Sequence, residues 1–211
     1  MLLSLISIPV LVEIHPKNPQ PRGIKKLVDC LKEGGVIVYP TDTVYGFGCD
    51  IFDQKAVERI CLIKGIDPRK ARFSFVCSSL SDMTNYTRSI SNPLFRMLRS
   101  VLPGPYTFIL AAGKLTPKIL KTKRDTVGIR VPDNIICQDL IRELGHPILS
   151  TSLPGDEEEY LTDPNLMDEK FGAMVDMVVD GGPGGQIPST VIDCTNDEPV
   201  LLREGLGKWP V

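Results

Sequence analysis

Histidine is almost missing from this chain, since only His15 and His146 occur among 211 residues. A Ser-His-Asp triad or a histidine-based metal centre would have to be built on one of these two, which argues against both chemistries. Paired cysteines are missing as well. Cys30, Cys49, Cys61, Cys77, Cys137 and Cys194 stand singly, with no C-x-x-C pair. That scatter favours reduced thiols in a cytoplasmic protein over a disulfide framework or structural zinc. There is no charge excess either: Lys+Arg 24 against Asp+Glu 26 leaves a net charge of −2. The whole surface therefore cannot act as a basic coat for a polyanion, and any basic feature has to be local. A membrane-spanning run is absent too. Met1 to Val12 (MLLSLISIPVLV) is apolar, but it lacks a basic leading region and falls short of the roughly 20 residues a span requires. It reads as an extension running into a first strand near Val10 to Ile14, or as a degenerate targeting segment, and not as an anchor.

What is present fits one domain. A chain of this length with 42% apolar residues can bury roughly 70% of the surface its unfolded form exposes. Val36 to Tyr39 is too apolar to alternate, which suits a strand buried on both faces, and Pro40 ends it. A hydroxyl-rich turn follows (Thr41, Asp42, Thr43, Tyr45), then Gly46 and Gly48, where backbone can approach a ligand closely. Helices are expected at Ile24 to Lys32 after a turn holding Pro16, Pro19 and Pro21, from Asp53 to Lys64, at Ser79 to Tyr86, from Asn92-Pro93 to Val101, and at Asp133 to Leu144. Strands are expected at Phe73 to Cys77, within PGPYTFIL (Pro103 to Leu110), at Thr126 to Val131, Pro147 to Leu149, Val175 to Val179, Thr190 to Asp193 and Val200 to Arg203.

Charge is local, as anticipated. Between Lys64 and Arg72, four basic residues (Lys64, Arg69, Lys70, Arg72) face one acid, Asp67. From Lys114 to Arg130 six basic residues face one acid, Asp125, and Gly155 to Glu169 holds seven acidic residues and no basic one. Such stretches read as solvated loops, or, for the basic ones beside a site, as holders of triphosphate or RNA. Arg130 ends a strand, where its planar fork suits either a ligand carboxylate or an ion pair.

Six motifs occur in order: YPTDTVYGFGCD (Tyr39 to Asp50), PGPYTFIL, TVGIRVP (Thr126 to Pro132), STS (Ser150 to Ser152), PSTVID (Pro188 to Asp193) and LLREG (Leu201 to Gly205). Together they resemble the YrdC-like family of threonylcarbamoyl-adenylate synthases, and its YciO branch in particular. The resemblance runs from about Ile14 onward. It implies a single-domain α/β fold, an open twisted mixed sheet flanked by helices with a concave face, over residues 13–207, with 1–12 as an apolar extension or first strand. It also implies an activity that joins L-threonine, bicarbonate and ATP with Mg²⁺ into a carbamoylated threonine adenylate for tRNA t6A modification, with no tightly bound cofactor and no membrane partner. On that resemblance Thr41, Thr126 and Arg130 hold threonine, while Lys64, Arg69, Arg72, Ser150, Ser152, Ser189 and Arg203 hold the nucleotide. Two positions depart from the family: Ile66 stands where a Lys-x-Arg pair has its Arg, and Pro154 where a Ser-x-Asn motif has its Asn. These departures carry an alternative, a module binding tRNA, double-stranded RNA or a ribosome partner. A third reading is an enzyme using the same pocket on another carbamoyl or nucleotide substrate.

Overall fold

Apolar residues at strand and helix periods set the elements, and proline, glycine and capping side chains set their ends. The computed structural model describes residues 10–68, 71, 73–117, 125–154, 162–196 and 198–209. In chain order it runs β1 (Val10–Glu13), α1 (Pro21–Lys32), β2 (Ile37–Tyr39), β3 (Gly46–Asp50), α2 (Gln54–Lys64), β4 (Ser74–Val76), α3 (Leu80–Asn85) and α4 (Asn92–Val101). It continues with β5 (Tyr106–Ala111), β6 (Thr126–Arg130), α5 (Ile135–Leu144), β7 (Ile148–Ser152), α6 (Pro164–Phe171), a 3-10 turn (Gly172–Met174), β8 (Met177–Asp180), β9 (Thr190–Asp193) and β10 (Val200–Arg203). All ten strands join one mixed sheet in the order β1-β8-β2-β3-β7-β4-β6-β5-β9-β10. Pairs β1/β8, β8/β2, β4/β6 and β5/β9 are parallel and the rest antiparallel. This is the single mixed sheet flanked by helices that the motifs imply.

Some element limits differ from the sequence expectation. Helix α1 begins at Pro21 and not at Ile24, because proline fixes a helical φ and the first turn needs no N–H from it. Helix α5 begins at Ile135 and not at Asp133: Asn134 caps it by accepting from the Cys137 N–H at 3.1 Å. The segment Gly46–Asp50 is a strand and not a ligand-facing loop. Of the acidic stretch, 155–161 lies outside the described residues, and Pro164–Phe171 is helical where a solvated loop was expected. Asp163 caps that helix through the Asn165 N–H at 2.9 Å, with Pro164 as its first residue; at α4 the N-cap is Ser91 and not Asn92, which is the first helical residue ahead of Pro93. Residues 1–9 lie outside the described residues, and β1 starts at Val10.

Two apolar clusters pin helices to the sheet. One face is covered by α2, α3, α4 and α6, through Ala56, Val57, Ile60, Met83, Leu98, Met167 and Phe171 packed on Phe47, Phe75, Phe108, Ile129 and Leu149. On the other face α1 and α5 pack Leu27, Leu31, Leu140 and Ile141 against Ile37, Tyr39, Val76, Ile148 and Val179. Each such aliphatic side chain contributes roughly 1.5–3 kcal/mol on burial. The second cluster stops at Val76 and Ile148. The residues two further along those strands, Ser74 and Ser150, belong to neither cluster, and nor do Thr107, Ile109, Ala111 and Gly128. Strand alternation places these six on the face that α1 and α5 cover only in part.

Candidate functional site

The rest of this face is made mostly of small and polar side chains in register. Gly48 opposes Ser150, Ser150 opposes Ser74, Ser74 opposes Gly128, Gly128 opposes Ile109, and Ile109 opposes Asp193. This row crosses β3, β7, β4, β6, β5 and β9. Hydroxyls on it are held from below. Tyr39, fully buried in β2, donates its O–H to Ser150 Oγ at 2.7 Å, and burial pushes the phenol far above its ordinary pKa, so it remains a donor. Thr107 Oγ1 and Ser189 Oγ lie 2.7 Å apart.

Two residues beyond Gly128 on the same face, Arg130 is only 7% exposed. Its Nη2 donates to Asp42 Oδ1 at 2.7 Å and to Thr43 Oγ1 at 2.8 Å. Asp42 Oδ2 accepts the Asp133 N–H at 3.1 Å. Burial raises the Asp42 pKa, with the Arg130 charge and these hydrogen bonds opposing it. Arg130 Nε is buried and has no partner among the described residues. A buried N–H left unpaired costs about 1–3 kcal/mol, and a ligand acceptor would remove that cost. Arg203 lies in the same field: burial, then the charge of Arg130, lowers its pKa. Its Nη2 donates to the Ser189 carbonyl at 2.8 Å and reaches Ser189 Oγ at 3.3 Å.

The hydroxyl-rich loop between β2 and β3 closes over this group. Thr41 Oγ1 accepts the Thr43 N–H at 3.1 Å and donates to the Val44 carbonyl at 2.7 Å. With its proton spent there, Thr41 Oγ1 also accepts from Thr43 Oγ1 at 3.1 Å, so both its lone pairs are engaged within the loop. The Gly-rich turn after β8 backs the loop. Tyr45 donates to the Gly182 carbonyl at 2.7 Å and accepts the Gly181 N–H at 3.1 Å. A side chain at Gly185 would put its Cβ 2.2 Å from the Thr43 carbonyl, so only glycine fits there.

Thr41, Arg130, Ser189 and Arg203 are thus brought together by hydrogen bonds and shared charge, with Ser150 on the adjoining row. Lys64, at the exit of α2, donates to the Ser152 carbonyl at 2.5 Å, so these two meet although 88 residues separate them. Burial lowers the Lys64 pKa. Thr126 opens β6 opposite Ala111, about 13 Å along the strand from Arg130 at the usual rise, and is not placed beside it. Arg69 and Arg72 lie outside the described residues. Asp42, Thr43, Tyr39 and Thr107 are the polar partners that reading the motifs did not single out for the site. Asp42 and Thr43 sit inside the TDT of the first motif, which is the one signal the sequence offers for them.

Among known proteins, the family model Sua5/YciO/YrdC, described as telomere recombination, matches residues 29–205. The crystal structure of Escherichia coli YciO superposes with a TM-score of 0.87 at 44% identity, covering 95% of this chain and 97% of that one. Threonylcarbamoyl-AMP synthase of Coxiella burnetii is 30% identical over 184 residues, 86% of this chain and 97% of the relative. The structure of Pyrococcus abyssi Sua5 complexed with L-threonine superposes with a TM-score of 0.82 at 28% identity, covering 93% of this chain and 57% of that longer one.

Proposed function

The chain belongs to the Sua5/YciO/YrdC family, and on that footing we propose that it is a threonylcarbamoyl-adenylate synthase in which the polar part of this sheet face and the Thr41 loop hold L-threonine and ATP. The observation that carries this reading is the buried, unpartnered Nε–H of Arg130 beside the Thr41 loop. An α-amino acid supplies what Arg130 lacks, a carboxylate acceptor, and brings an amine to react. Carbon–nitrogen bond formation between that amine and bicarbonate releases water and leaves a carbamate. Attack of the carbamate oxygen on the α-phosphorus of ATP then expels pyrophosphate. Positioning and charge stabilisation supply most of such catalysis, and no histidine is required. Lys64, Ser150, Ser152, Ser189 and Arg203 are the groups for the nucleotide, and Mg²⁺ comes with the triphosphate. The product fits tRNA t6A modification. The six thiols are free and buried among the described residues, in keeping with a cytoplasmic setting, and no helix among them is long and apolar enough to cross a membrane.

The test is pyrophosphate release from ATP and bicarbonate across the amino acids. L-Threonine should stimulate it, and Arg130→Lys should raise the threonine KM roughly ten- to a hundredfold, the worth of one charge-assisted hydrogen bond, while leaving the ATP KM nearly unchanged. Release indifferent to L-threonine would end this reading. A second reading, an RNA-binding module, is favoured by the same two departures, Ile66 and Pro154, and by a Lys64 ammonium already bound to the Ser152 carbonyl. Affinity for tRNA or double-stranded RNA that falls steeply with salt, without amino-acid-dependent pyrophosphate release, would support it.

A further inference from the structure

We infer that Asp42 is the positioning residue for Arg130, setting the guanidinium so that its Nε–H stays unspent and faces the amino-acid carboxylate; this rests on the reading proposed above. The guanidinium could turn about its long side chain, and what stops it is local. Both Nη2 protons are used, one on Asp42 Oδ1 and one on Thr43 Oγ1. The other oxygen of Asp42 is also engaged, by the Asp133 N–H. Asp42 therefore ties three parts of the chain at one point: the β2–β3 loop, the end of β6, and the segment that enters α5. Its side chain is 7% exposed and that of Arg130 is 8% exposed, so little water competes for the pair. An arginine fixed by a second carboxylate is pre-organised for a first one, because the rotamer entropy is lost before the ligand arrives. The acid also shapes the choice of ligand. Beside Arg130 it leaves a paired positive and negative charge, which suits a zwitterion with its own carboxylate and ammonium better than a plain anion.

The experiment compares the wild type with Asp42→Asn, which keeps the shape and removes the charge. In ¹H–¹⁵N spectra of the ligand-free full chain, the Arg130 Nε–H signal is assigned by its loss in Arg130→Lys. In the wild type it should exchange slowly with solvent. In Asp42→Asn it should lose that protection, and calorimetry should show L-threonine affinity reduced about tenfold or more, with L-threoninol, which lacks the carboxylate, affected little. If Asp42→Asn cannot be purified folded, Thr43→Val, which removes the second acceptor on Nη2 together with the Thr41–Thr43 hydroxyl contact, takes its place with the same expected directions. An unchanged Nε–H signal would overturn the inference, and so would a freed guanidinium with undiminished L-threonine binding. Should L-threonine fail to bind the wild type at all, the amino-acid reading falls, while the Nε–H comparison still decides whether Asp42 holds Arg130.

Discussion

Lys64, proposed to hold the nucleotide, costs the fold stability. Burial at the exit of α2 lowers its pKa from 10.5, so the folded chain releases that proton at a lower pH than the unfolded chain does. Between the lowered value and 10.5 the unfolded state binds more protons, and stability attributable to Lys64 rises with pH through that window. Below it, the charged ammonium is held at a disadvantage that its bond to the Ser152 carbonyl only partly offsets. Lys64→Met is expected to lose nucleotide affinity. Its stability relative to the wild type should be highest near neutral pH and should decline as pH approaches 10.5. Urea unfolding of both proteins at a series of pH values measures this, and a difference that does not change with pH would place the ammonium in solvent.

At the scale of elements, the first motif turns out to build a strand. Gly46 and Gly48 read as open backbone for a ligand, but both are consumed by packing. A Cβ at Gly46 would lie 2.8 Å from the Thr151 carbonyl of β7, and one at Gly48 would lie 2.8 Å from the Tyr39 ring. The absent side chains let β3 lie close against its neighbours, and so let Tyr39 reach Ser150. Gly46→Ala should therefore destabilise the fold by about 1–3 kcal/mol, the usual cost of overpacking, and should disturb the Tyr39–Ser150 bond. Chemical denaturation checks the first effect, and the loss of nucleotide binding in protein that remains folded checks the second.

At the scale of the whole molecule, the question is whether this site still binds ATP tightly. Ile66 is half-buried and packs against the first apolar cluster, so the residue replacing the family arginine has gone over to the core. On the proposed function, the phosphates would thereby lose one fixed cation. Ile66→Arg with Pro154→Asn is expected to strengthen ATP binding by the worth of one or two charge-assisted hydrogen bonds, each about 1.5–3 kcal/mol before reorganisation is subtracted. It should also speed pyrophosphate release, at some cost in stability because the introduced guanidinium must leave the cluster that the isoleucine side chain joins. Calorimetry with ATP, alongside circular dichroism, measures both. A folded double variant that gains neither affinity nor release would show that these positions do not limit synthesis.

Much of this was legible along the chain. Apolar period and capping residues marked most elements, because helices and strands are set by neighbours three, four or two residues away. The motifs carried the family, and with it the sheet and the residues to inspect. What only the tertiary structure decided were the partners. Asp42 and Arg130 are 88 residues apart and Tyr39 and Ser150 are 111 apart, and no local pattern encodes such pairs. They meet because strand order leaves only β3 between β2 and β7 and only β4 between β7 and β6, while the apolar cluster under α1 and α5 ends at Val76 and Ile148. Ser74 and Ser150 lie past that edge, and Arg130, in register with Val76, stands on it with its Nε–H unspent.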